Sequence, residues 1–419
     1  QPSLLFKINS TQLLFNQCYR SQLTMKLVIS TLVLVSCAFA IEFSSRARNF
    51  SIEILYHTQR ESGGHVVISP LGIWSLMTTV AVGAEGKSQS QLVKALRLPS
   101  SEISIVNGYQ SLIKTVLDTK DESIDLTSHN FMFVDEAFKI NPQFKKKIGS
   151  DFETDIINLQ FGSTIEAAKT ANGIIKNTGA TTSDVFYPED FSQARFMLTN
   201  VINFKGLWKI PFNESDTRLE PFYDENKNKI GEANMMFKED SVRFSNVQTL
   251  QSFLLELPYG NDDKYCMLLF LPYQNVKVTE AYKNLQKVSI HEIFDQLEQD
   301  EEKFGSESVE IKLPRFKISS NVVLNKPLMD MGVYDIFDEG SANFKPITDN
   351  DVFVAKVVHN ANIEVTETGT TASAVTTAEF QDRSSRPRFE ANRPFIYFVM
   401  EKPTATIIFG GIYSKPSVF

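Results

Sequence analysis

The sequence predicts an α+β fold built around a large sheet, and three observations carry that expectation. Helical spacing dominates the start of the folded part. Long apolar strands with period-two alternation dominate its middle and end. No repeat, linker or low-complexity tract divides residues 41–419, so one domain is expected there. Composition agrees, with 42% hydrophobic and 22% charged residues, 19 Gly and 16 Pro among 419, which excludes a collagen-like, coiled-coil or wholly disordered chain. A formal charge of −8 argues against a nucleic-acid partner, because phosphate backbones want a basic surface.

Taken in order, residues 1–24 form an upstream extension with no fold assigned. Residues 25–40 read as a secretory signal peptide: Met25, Lys26, the apolar run Leu27–Phe39, and the small-x-small ending Ala38-Phe39-Ala40. The run is too short to span a membrane, which takes about 20 apolar residues. Removing residues 1–40 takes three cations and no acids, leaving a charge of −11, and takes Cys18 and Cys37. Cys266 remains, inside an apolar run where it reads as a small core residue. A secreted, disulfide-free protein is expected, with glycosylation acceptors at Asn49 and Asn213.

Ser69 then reads as a helix N-cap followed by Pro70, and Ile73, Leu76, Met77 and Val80 keep helical spacing until Gly83. Phe196–Lys205 reads as a strand. A second is expected over Val352–Val365, with Phe353, Ala355, Val357, His359, Ala361, Ile363 and Val365 on one face. Phe395–Met400 and Thr406–Phe409 read as a hairpin. Between the last strands lies Gly369–Arg388, about twenty small, polar and charged residues, a length of loop more often functional than idle. Its first half is rich in Thr, Val, Ala and Ser, exposed by composition yet competent to pair as a strand.

Chemistry-bearing patterns are poor. Ala81–Ser88 matches a loose phosphate-binding loop, but a helix precedes it and Glu85 would face the phosphates, so it reads as a helix end and connector. The five histidines stand far apart, with no metal-ligand spacing and no G-x-S-x-G elbow. No enzyme, metal or cofactor is expected, and Lys145-Lys146-Lys147 reads as a solvated helix face. His359 and Asn200 sit on apolar strand faces, where each needs a hydrogen-bond partner.

From about Phe43 to Pro416 the chain resembles the serpins. The likeness is carried by Val67-Ile68-Ser69-Pro70, Asn200–Trp208, Asn234-Met235-Met236, Leu313-Pro314-Arg315-Phe316, Glu367-x-Gly369-Thr370, Asn392-Arg393-Pro394-Phe395 and Phe409-Gly410, in that order and spacing. The resemblance implies the serpin fold, with about nine helices, three β-sheets and an exposed reactive-centre loop at about 367–388. It also implies a suicide mechanism: a serine protease forms an acyl-enzyme on the loop, and the cleaved arm inserts into the central sheet and distorts the protease. The family register, counted from Glu367 and from Pro394, places the reactive bond at Arg383–Ser384. An Arg there implies a trypsin-like serine protease as partner, in a covalent 1:1 complex with a monomeric inhibitor. The loop hinge is implied at Glu367, Gly369, Thr370, Thr371, Ala372, Ser373 and Ala374. The shutter is implied at Ser69, Asn200 and His359, and the breach at Trp208 and Arg315, with Glu367 paired to Arg315.

Thr370–Ala378 holds no bulky, charged or Pro residue, which favours an inhibitor over the alternative of a non-inhibitory carrier, storage protein or chaperone. Val375 is larger than usual and is expected to slow insertion. His65 stands where the family usually has Asn and Gly72 where it usually has Ser, so different hydrogen bonds are expected beneath the shutter. The helix after Asn172 lacks the family's usual aromatic.

Overall fold

The computed structural model describes residues 41–178, 184–192, 194–305, 308–369 and 387–419. In chain order the elements are α1 (41–61), β1 (Val66–Ile68), α2 (Pro70–Val82), α3 (Gly86–Ala95), α4 (Glu102–Leu117), β2 (Ile124–Asp135), α5 (Pro142–Phe152), β3 (Thr154–Leu159), α6 (Thr164–Asn177), α7 (Pro188–Phe191) and β4 (Phe196–Gly206). There follow β5 (Arg218–Tyr223), β6 (Lys229–Ser241), β7 (Phe244–Val247), β8 (Ser252–Tyr259), β9 (Tyr265–Pro272), α8 (Val278–Leu285), α9 (Ile290–Phe304), β10 (Ser308–Pro314), β11 (Phe316–Val323) and α10 (Asn325–Asp330). The chain closes with β12 (Lys356–Val365), β13 (Arg388–Glu390), β14 (Phe395–Glu401) and β15 (Thr406–Tyr413). The described residues thus hold ten α-helices and three sheets, as the α+β expectation requires.

The central sheet has five strands in the order β11-β12-β4-β2-β3. Its neighbours β12 and β4 run parallel, and their pairing covers only Lys356↔Met197 to Asn360↔Val201. Both strands continue past that point, β12 to Val365 and β4 to Gly206, without a described partner on the edges that face each other. The other sheets are six-stranded (β1-β15-β14-β9-β8-β7) and four-stranded (β13-β10-β6-β5).

Helix α2 starts as the sequence predicts: the Ser69 hydroxyl accepts from the Gly72 amide and Pro70 takes the first turn. All thirteen of its residues are buried, so the helical spacing marks one face of a rod wrapped on every side. It packs against β15, β4 and β2 beneath the central sheet. Strand β12 begins at Lys356 rather than Val352. Residues 352–355 form no strand: the Val354 amide donates to Ile336 O and only the Ala355 amide reaches β4, at Phe196 O. The terminal hairpin is β14–β15, fully buried on both strands because the sheet lies inside the molecule. Cys266 in β9 is buried, which pushes its thiol pKa well up, as a core residue requires.

A second apolar core lies between α6 and the central sheet. It joins Ala167, Ala168, Ala171 and Ile175 of α6 to Phe131 and Phe133 of β2, Met197 and Val201 of β4, and Val358 of β12. The alanines let the helix approach closely, and the sheet supplies the aromatics that the helix lacks. Because Met197, Val201 and Val358 lie on the two paired strands, this core covers the very stretch where β4 and β12 are hydrogen-bonded.

Candidate functional site

Where β12 ends, the chain makes a tight turn at Thr366–Gly369, closed by the Thr366 amide donating to Gly369 O (2.8 Å) and the Gly369 amide donating to Thr366 O (3.2 Å). Gly369 has φ +128°, and a Cβ there would fall 2.3 Å from Gly206 O and 2.7 Å from Trp208 N. Only glycine fits. The turn lays Gly369 antiparallel to Leu207, just beyond β4, and the Trp208 amide donates to Thr368 O (3.1 Å). Gly369 therefore stands antiparallel to the chain that leaves β4, at the top of its open edge.

Trp208 fixes this turn. Its indole N–H donates to Thr366 O (2.9 Å), and its ring stacks on buried Tyr259 with centroids 4.3 Å apart. Glu367 is buried, its side chain only 4% exposed, so its carboxylate needs partners. The Thr217 hydroxyl donates to it at 2.7 Å and the Arg315 guanidinium stands 3.5 Å away. Arg315 also donates to Phe419 O (2.7 Å). The Phe212 amide donates to Glu367 O (2.7 Å), so the residues flanking Asn213 hold the turn from the other side.

Lower on the sheet, the Ser69 amide donates to His359 Nε2 (2.8 Å), and the Ser69 hydroxyl donates to Ile408 O (2.7 Å). Burial with no charge partner pushes the His359 pKa down to about 3, so the ring is neutral and can accept. Asn200 lies opposite His359 in the strand register but turns the other way. Its amide group donates to Asn130 Oδ1 (2.8 Å), Ser128 Oγ (3.2 Å) and His129 O (3.3 Å) on β2. Asn130 donates to Ser75 Oγ (2.8 Å), and Ser75 shares a 2.6 Å hydrogen bond with Tyr109. The structure thus brings Ser69 and His359 together and ties Asn200 to a separate network.

Gly72 explains that choice. A Cβ on it would lie 2.0 Å from Asn200 Oδ1, so the bare glycine leaves room for the Asn200 carboxamide. His65 is not beneath this network. Its Nδ1 accepts from the Ser414 and Lys415 amides (3.2 Å each), which pins the end of the chain and corrects the expectation of a role under the shutter. Asn130, Ser75, Thr217 and Phe212 belong to no motif that sequence reasoning singles out. Asn130 alone leaves a trace there, as a polar residue before the apolar run of β2.

The far end of the loop is anchored too. The Glu310 amide donates to Pro387 O (3.0 Å), and Arg388 pairs with Glu310 at 2.6 Å. Asn49 is exposed on α1, and Asn213 is half-buried with its carbonyl accepting from Ser215. Thr370, Thr371, Ala372, Ser373, Ala374, Arg383 and Ser384 lie outside the described residues, as does the expected signal segment 25–40. Among the described residues, no cluster of three His, Cys, Asp or Glu could hold a metal, and no helix is long and apolar enough to cross a membrane.

The site is thus a central sheet whose upper seam is unpaired among the described residues, with a tight glycine turn standing at its top. The comparisons with known proteins agree with the family likeness. A family model described as "Serpin (serine protease inhibitor)" matches residues 45–416. Serpin B8 of Bos taurus is 31% identical over 358 residues, covering 84% of this chain and 93% of that protein. Leukocyte elastase inhibitor A of Rattus norvegicus is 29% identical over 389 residues, covering 90% of this chain and all of that one. The structure of human glycosylated kallistatin superposes with a TM-score of 0.79 at 23% identity, over 91% of this chain and 99% of that chain. The chain belongs to the serpin family.

Proposed function

We propose that this protein is a secreted suicide inhibitor of trypsin-like serine proteases, cleaved at Arg383–Ser384. The observation that carries the reading is the turn at Thr366–Gly369, which sets Gly369 antiparallel to Leu207 at the top of the stretch where β4 and β12 are no longer paired. The attacking serine of the protease would form an ester with the Arg383 carbonyl carbon while the Ser384 nitrogen leaves as an amine. The freed arm from Thr370 onward would then enter between β4 and β12. Roughly fourteen residues at about 3.3 Å each span some 45 Å, enough to carry a tethered protease from one end of the sheet towards the other.

Residues 361–365 and 202–206 gain partners at once, while the five pairs from Lys356↔Met197 to Asn360↔Val201 must exchange theirs. Insertion would give the arm strand partners on both sides, so the uncut molecule is held by a barrier and its stability is a rate. The Arg side chain is the feature that supports trypsin-like specificity, since a long cation suits a primary pocket closed by a carboxylate. The signal-like segment 25–40 supports secretion.

Incubation with trypsin tests the reading. A covalent complex that survives SDS is expected, and Arg383→Glu should abolish it. Clean cleavage after Arg383 with no complex would make the chain a substrate and a non-inhibitory family member. N-terminal sequencing of the protein recovered from culture medium should begin at Ile41.

A further inference from the structure

A cavity of about 360 Å³ lies between the edge strand β7 and the second half of α9. Its lining includes Phe244 and Val309, the carboxylates Asp300 and Glu301, the cations Arg243 and Lys303, and Pro387. The volume is at the lower end for a ligand site and suits a long side chain better than a whole small molecule. Its charges are unequally committed. Arg243 is held by Glu301 at 2.7 Å and Glu256 at 3.7 Å, whereas Asp300 accepts from the neutral Gln296 amide at 3.0 Å. The lining sets Asp300 and Glu301 against Arg243 and Lys303, and Asp300 is the acid that accepts from a neutral amide rather than from Arg243. An aliphatic stem over Phe244 and Val309 with a cationic head at Asp300 matches this lining, and that is the chemistry of an Arg or Lys side chain.

Position identifies the donor of that side chain. Pro387 is fixed to β10 through the Glu310 amide, and Ser384 precedes it by three residues. Three residues reach at most about 11 Å, so a protease seated on the Arg383–Ser384 bond overhangs this cavity on its leaving-group side. We infer that the β7–α9 cavity is a secondary docking site for the target protease, taking a basic residue from its surface next to the cleft. The inference rests on the inhibitor reading for the placement of the bond. It adds a preference that the bait residue cannot supply, because Arg383 selects a primary pocket and the cavity selects a basic rim around it.

Cationic and anionic trypsin share the Arg-accepting pocket and differ in surface charge, which makes them the probes. Their anhydro forms bind without acylation, so affinity can be measured whether or not insertion follows. In about 20 mM NaCl, Asp300→Arg should weaken binding of cationic anhydrotrypsin about tenfold and Asp300→Asn about threefold, with anionic anhydrotrypsin unaffected. The differences should vanish in 1 M NaCl, where screening acts within about 3 Å. Equal affinities of wild type and both variants for the cationic form would overturn the inference while leaving the inhibitor reading intact. The inference also fails if the variants lose only self-association, which would give the cavity to a second copy. Absence of an SDS-stable complex with active trypsin would sink the inhibitor reading and leave the affinity comparison standing.

Discussion

The upper and lower halves of the seam between β4 and β12 are built on opposite principles. Above Asn360 the strands lack described backbone partners on their facing edges, and side chains fix the hinge: Trp208 holds Thr366, Thr217 and Arg315 hold Glu367. Below it, backbone pairing, the Ser69–His359 hydrogen bond and the α6 core seal the seam together. The proposed insertion would therefore enter freely above and meet its resistance below. A barrier made this way is local, so substitutions in the two halves should separate the ability to insert from the rate of opening.

Breaking the upper half should have the largest effect. Gly369→Val puts a side chain where Gly206 O and Trp208 N already are, which removes the turn at the root of the proposed inserting arm. The variant should be cleaved by trypsin at the normal rate yet form less than about one hundredth of the wild-type complex, read by SDS gels; this follows if the barrier to insertion rises by about 3 kcal/mol.

Acid should act next, on the lower half through His359. The His359 pKa is about 3 in the fold against 6.5 for the free side chain. The unfolded state therefore binds more protons between those values, and stability falls as pH drops from about 6.5 towards 3. His359→Gln should flatten the pH dependence of the unfolding rate in that window. An unchanged slope would mean that other groups set it.

The smallest effect is expected at Gly72. Gly72→Ser forces the Asn200 carboxamide out of its place and off Asn130, an overpacking change costing about 1–3 kcal/mol. Faster opening is expected, measured as faster spontaneous loop insertion on warming, with trypsin cleavage unaltered.

Much of this is legible in the sequence because it rests on local rules. Ser69-Pro70 declares the start of α2, and the alternation around His359 declares a strand. Gly369 beside Glu367 marks the hinge through the family likeness. What stays hidden depends on distant chain segments. Nothing local says that Asn200 faces Asn130 rather than His359, since that follows from the missing side chain at Gly72. Nothing local assigns Thr217 to Glu367, 150 residues away, or turns His65 towards Ser414. Alternation alone starts β12 too early, because residues 352–355 keep a strand-like pattern while Val354 bonds to Ile336 instead of the sheet.

The central claim is that the uncut fold is trapped above a lower state reached by strand insertion. Thermal unfolding of the protein before and after a single cut at Arg383–Ser384 tests it most directly. The cut form should melt well above the intact one, with a sharper transition. A cut form that melts at or below the intact temperature would contradict the account.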